Sequence, residues 1–118
     1  MTRGSTDRIE DAIAFASRAI TRAQGLAAPC RLDEDGWCAA LFDMAGVGEA
    51  LNAVAEPIKT LAPDLPWDLA RGMRNHIVHE YWQIDAEVVL RTARQNLPAL
   101  VADLRSLQTR LHARAIEV

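Results

Sequence analysis

Lysine is almost missing from this sequence. Lys59 is the single one, against twelve arginines. The formal net charge is −3, which excludes a molecule that coats nucleic acid through overall charge. The arginine skew leaves room for local phosphate contacts, because a guanidinium grips two phosphate oxygens at once and an ammonium does not. Cysteine is scarce too. Cys30 and Cys38 do not form a C-x-x-C pair, and a domain of this size builds a core without covalent staples, so no disulfide is expected. Cys38 falls in an apolar helical pattern and reads as a small buried residue. No apolar run approaches the roughly 20 residues that span a bilayer. The N-terminal positions are too polar for a secretory signal, so a soluble, cytoplasmic protein is expected, with no membrane contact. Strand signals are missing as well: the one β-branched cluster, Val88-Val89, lies inside a helical frame.

Helical periodicity fills the space these absences leave. A first helix begins at Asp7, with Glu10 completing a weak capping box, and leaves Met1 to Thr6 as a flexible tail. Its apolar stripe is Ile9, Ala12, Ile13, Ala16, Ile20 and Ala23, and Gly25 stops it. Asp33 or Asp35 caps a second helix. There Trp37, Leu41, Met44, Gly48, Leu51, Ala55 and Ile58 share one face, and Pro57 ends or kinks the helix. Gly48 lies on that apolar face, which predicts close approach of another helix. Pro66 opens a third helix that runs to Tyr81. Asp85 caps a short fourth helix through Gln95. Pro98 opens a fifth, with Leu97, Leu100, Leu104, Leu107 and Leu111 along one face. The expectation is an all-α bundle of four to five helices, forming one domain over residues 1–118.

The chemistry is concentrated between Met73 and Trp82. On a helix at ~100° per residue, Leu69, Ala70, Met73 and Ile77 form an apolar arc. Arg71, Arg74, Asn75, Val78 and His79 spread over the opposite side. Asn75 and His79 are four residues apart, so the amide is placed to bond the imidazole and orient it. Arg74 and His79 lie about 140° apart around the axis and can border one cleft. Histidine exchanges protons near neutrality, and arginine stabilises charge developing on a phosphate. Together they suit cleavage of an RNA phosphodiester by its own 2′-hydroxyl, with no metal or other cofactor. One such histidine per chain supplies one proton-transfer group; a two-fold dimer would bring a second His79 and a second Arg74. Plainer readings remain open. Arg74 could pair with Glu80 or Asp68 at a helix surface, and His76 could be an ordinary exposed or half-buried histidine. His76, His79 and Glu80 offer nitrogen and oxygen donors, but the second cluster that metal-binding bundles use is missing, so no metal site is expected.

These residues also carry a resemblance. Arg74-Asn75-x-x-x-His79-x-Tyr81 resembles the R-x4-H-x-Y motif of the HepT-like toxins, a branch of the HEPN superfamily. Gly48-Glu49-Ala50, Leu65-Pro66-Trp67, Gly72-Met73-Arg74-Asn75, Ile84-Asp85 and Asn96-Leu97-Pro98-x-Leu100 are similar to family segments in the same order. The likeness covers roughly Asp33 to Leu111. It implies a HEPN-type up-and-down bundle working as a homodimer, and a metal-independent endoribonuclease with Arg74 and His79 as the catalytic pair and Asn75 supporting them. Arg71 is a candidate RNA contact beside Arg74. The resemblance further implies the toxin half of a type VII-like toxin–antitoxin module. The partner would be a minimal nucleotidyltransferase antitoxin that silences the toxin by transferring AMP to Tyr81. The alternative is a non-catalytic HEPN module that pairs with a nucleotidyltransferase. The intact Arg74, Asn75, His79 and Tyr81 favour the nuclease.

Overall fold

A computed structural model of the protein describes residues 4–26, 35–80 and 83–117, with side chains to Arg114. The elements are α1 (Ser5–Gln24), α2 (Asp35–Asn52), α3 (Glu56–Leu61), α4 (Trp67–Glu80), α5 (Ala86–Arg91), a π-helical turn (Thr92–Asn96) and α6 (Leu97–Glu117). No strand occurs among the described residues. The bundle is elongated, 51 × 27 × 25 Å. Helix α1 packs against α2 and α6, and α2 carries α4 on another side. Ile9, Trp37, Met44, Val47, Leu51, Leu104 and Leu107 are the largest fully buried side chains.

The stripe on α1 is buried as its spacing requires, with Ala19 added and Ile20 only half-buried. The helix starts two residues before Asp7. Asp7 sits inside the first turn, and its carboxylate accepts the Gly4 N–H at 3.4 Å, the reach-back arm of a capping box. Ser5 and Thr6 therefore belong to the helix and not to a tail. The Ser5 hydroxyl also accepts the Ala55 N–H at 3.0 Å. Gly25 ends α1 as expected. Asp35 is the first residue of α2; the alternative cap Asp33 lies outside the described residues, as does Cys30.

Four expectations need correction. Helix α2 stops at Asn52, so Ala55 is exposed, and Pro57 lies in the first turn of α3 where it was expected to end or kink α2. A proline lacks only an N–H that the first turn of a helix leaves unpaired anyway. Pro98 likewise does not start a new helix. It lies about three turns into a continuous rod formed by α5, the π turn and α6; the widened backbone just before Pro98 relieves the clash its ring makes with the preceding turn. Cys38 is exposed, because Trp37 takes the buried position and Cys38 falls ~100° around the helix. Leu69 is 78% exposed. It lies on the rim of an open apolar hollow of about 440 Å³ between α4 and the C-terminal rod, while Ala70 and Ile77 take the packed positions.

Two polar contacts fix the frame. Asp43 is 2% exposed on α2 and accepts from Arg18 Nε at 3.3 Å and Arg22 Nε at 2.8 Å on α1. A buried carboxylate is costly unless paired, and this pairing is satisfied only when α1 and α2 are docked. Arg94, in the π turn, donates from Nε (3.2 Å) and Nη2 (2.6 Å) to the Ala23 carbonyl, and from Nη2 to the Leu26 carbonyl. It thus caps the C-terminal end of α1, whose last carbonyls have no partner in their own helix.

Candidate active site

The site depends on how closely α4 lies on α2. Gly48 is the point of approach. A β-carbon there would collide with the Ala70 carbonyl oxygen and would meet Arg74 Cβ at 2.5 Å, as the glycine on the apolar face predicted. Trp67 Nε1 donates to the Ala62 carbonyl at 2.9 Å, and the Pro66 carbonyl accepts the Ala70 N–H at 3.0 Å. These contacts fix where α4 begins. Ile77 faces the core one turn beyond Met73, so Arg74 is held at the α2–α4 seam.

Glu49, the residue after Gly48, accepts from Arg74 Nε at 2.7 Å. Arg74 Nη1 donates to Asn75 Oδ1 at 2.9 Å. Asp68 and Glu80, the surface partners of the plainer reading, are not the ones used. The Arg74 side chain is 33% exposed, and its Nη2 makes no hydrogen bond among the described residues. The outcome is a guanidinium steadied along one edge and open along the other, a geometry that receives an anionic oxygen.

The amide of Asn75 is expected to orient His79 and does not. It serves the cation beside it instead. His79 is exposed in the last turn of α4 and makes no hydrogen bond among the described residues. His76 is exposed, and its Nδ1 lies 2.9 Å from Glu80 Oε2, a surface pair at ordinary i,i+4 spacing. Tyr81 and Trp82 lie outside the described residues. Arg71 bonds Asp68 at 3.2 Å and borders a hollow with Trp67 and Lys59. It does not line the groove that contains Arg74. That groove, about 350 Å³, is bordered by Arg8, Phe15, Phe42, Glu49, Arg74 and Val78.

Sequence reasoning gave Glu49 no role of its own and passed over Phe42. The signal for Glu49 was its place directly after the glycine of closest approach. Phe42 fell off the apolar stripe of α2, which is the signature of a side chain directed away from the core.

The family model described as "Ribonuclease HepT-like" matches residues 9–107. The chain belongs to this family. Among curated proteins, this HepT-like chain is 29% identical over 62 residues to "Probable ribonuclease HepT" of Thermococcus cleftensis, covering 52% of this chain and 56% of that one. It is 26% identical over 61 residues to each of two proteins of Methanocaldococcus jannaschii named "Putative RNase", covering 52% of this chain and 53% and 50% of theirs. The chain spans about half the length of the curated relatives it matches. No solved structure matches it. The matched region of the family contains Arg74, Asn75, His79 and Glu49, together with the glycine that seats α4 on α2.

Proposed function

We propose that this HepT-like chain is a metal-independent endoribonuclease, acting in the cytoplasm as the toxin of a two-component module. The observation that carries the reading is Arg74, pinned by Glu49 and Asn75, on the same helix as the imidazole of His79; neither Arg74 Nη2 nor that imidazole has a hydrogen-bond partner among the described residues. Arg74 binds the non-bridging oxygens of an RNA phosphate. His79 takes the proton from the ribose 2′-hydroxyl. The 2′-oxygen forms a bond to phosphorus, the bond to the 5′-oxygen breaks, and a 2′,3′-cyclic phosphate remains. The leaving oxygen needs a proton, and a second His79 supplies it from the other copy of a two-fold dimer. Asn75 supports the site by holding Arg74. Arg71 is a contact for RNA beyond the scissile phosphate.

The proposed partner is a minimal nucleotidyltransferase. It transfers AMP from ATP to the Tyr81 hydroxyl with release of pyrophosphate. The added charge and bulk two residues from His79 would repel an RNA phosphate and block access. The carboxylate already on Arg74 favours a second reading, a non-catalytic module that pairs with the nucleotidyltransferase. One assay separates the two. Purified protein should cleave single-stranded RNA in EDTA, and Arg74→Ala and His79→Ala should each lower the rate at least a hundredfold while circular dichroism stays helical. Undiminished cleavage by both variants would remove the site assignment. An inert parent protein would favour the binding module.

A further inference from the structure

Phe42 is the outlier of the groove. It is 68% exposed in a chain with two phenylalanines, yet it is held in place. Its ring meets that of Phe15 edge to face, centroids 6.0 Å apart at 70°. The guanidinium of Arg18 lies 4.8 Å from the Phe15 ring centroid, close enough for a cation–π contact. Phe15 in turn lies against Gly46, where a β-carbon would come within 2.6 Å of its ring. An open aromatic ring on an ordered support, without a hydrogen-bonding edge, is what a nucleobase stacks on.

The setting selects the occupant. Arg8 and Arg74 border the same groove as both rings, and Arg18 stands behind Phe15. On α1, Arg8, Phe15, Arg18 and Arg22 recur at steps of seven, three and four, so they share one face of that helix. Asp11 and Glu49 balance Arg8 and Arg74 within the groove itself, while Arg18 and Arg22 beside it share the single carboxylate of Asp43, which leaves that adjoining pair one charge positive. An apolar partner would use the rings and gain nothing from the arginines. A folded anionic partner would use the arginines and leave the ring bare. Single-stranded RNA uses both.

We infer that Phe42, backed by Phe15, forms a nucleobase-stacking subsite next to the Arg74 phosphate site. This rests on the RNA-cleaving reading and adds to it where the strand runs. Phe42 and Glu49 are seven residues apart on α2, two turns or about 10 Å, and Glu49 holds Arg74. The stacked base therefore belongs to a nucleotide neighbouring the scissile one, and the strand crosses α2 toward the arginines of α1.

The test compares a single-stranded oligoribonucleotide with a dinucleotide that carries the same scissile step. Phe42→Ala should lower kcat/KM on the oligonucleotide about tenfold more than on the dinucleotide, with the difference in KM. Phe42→Trp should restore the oligonucleotide to parental values. In a His79→Ala background, 2-aminopurine next to the scissile position should be quenched on binding, and less so when Phe42 is also alanine. Equal losses on both substrates would overturn the subsite, as would no loss on either. So would a fall in sedimentation coefficient matching the lost activity, which would make Phe42 a contact between copies. If the parent protein cleaves nothing, the ribonuclease reading fails by itself. The quenching titration then still decides whether Phe42 holds a base.

Discussion

Arg74 makes two contacts that pull in different directions. Asn75 is neutral and steadies the guanidinium without cancelling its charge. Glu49 steadies it too, but places a carboxylate 2.7 Å from the group proposed to meet a phosphate. Both partners are part-exposed, so the pair adds at most about 1 kcal/mol to folding, and its larger effect is on the charge that RNA encounters. Glu49→Gln keeps a hydrogen-bond acceptor and removes the negative charge. It should tighten binding of an RNA oligonucleotide to the His79→Ala protein about two- to fivefold, measured by fluorescence anisotropy at fixed ionic strength. Weaker binding would mean that positioning outweighs neutralisation. At this scale the sequence disclosed which groups were present and not how they pair. Spacing along α4 linked Asn75 to His79, whereas the pairing that forms is set by Arg74, which comes from a different face and is itself placed by α2. A contact between helices is invisible to the period of either one.

The elements were more legible than their joints. Periodic apolar stripes predicted α1, α2, α4 and the leucine face of α6, and the Asp85 cap is present, its carboxylate accepting the Glu87 N–H at 2.9 Å. The prolines misled, since a proline suits the first turn of a helix as well as the end of one, and only packing decides between them. The glycines separate in the same way. Gly48 and Gly72 look alike in sequence. A β-carbon at Gly48 meets the backbone of α4, whereas one at Gly72 meets nothing within 4 Å. Gly72→Ala should therefore stabilise the fold by about 0.5–1 kcal/mol through the lower entropy of the unfolded chain. Gly48→Ala should cost about 1–3 kcal/mol as α4 is forced off α2, and should lower activity because Arg74 moves with α4. Urea denaturation reads the first effect, and RNA cleavage the second. A neutral Gly48→Ala would show that the seam is looser than its geometry.

The whole molecule is acidic, elongated and equipped with one set of catalytic candidates. On the proposed mechanism it needs a second copy to supply a proton to the leaving oxygen. Specific activity should then fall on dilution, in step with dimer dissociation followed by sedimentation. Activity per chain that is constant across that transition would rule out the shared site. Silencing should also be a property of the assembled module. With ATP and the nucleotidyltransferase, mass spectrometry should show one added AMP, absent in Tyr81→Phe, with cleavage lost only in the parent. Modification at another residue would remove Tyr81 from the scheme. Arg94 adds a constraint of a different kind. It satisfies the Ala23 carbonyl across 71 positions of sequence, and a ribosome delivers a chain from its first residue to its last. Helix α1 is therefore made before Arg94, and until Arg94 emerges its C-terminal end has only the local caps that the Gly25 and Leu26 N–H groups donate to the Arg22 and Ala23 carbonyls. The clamp on α1 closes only after the entire motif from Arg74 to Tyr81 has been synthesised, so a chain truncated before Arg94 would carry the motif without that clamp and without α6, against which α1 packs.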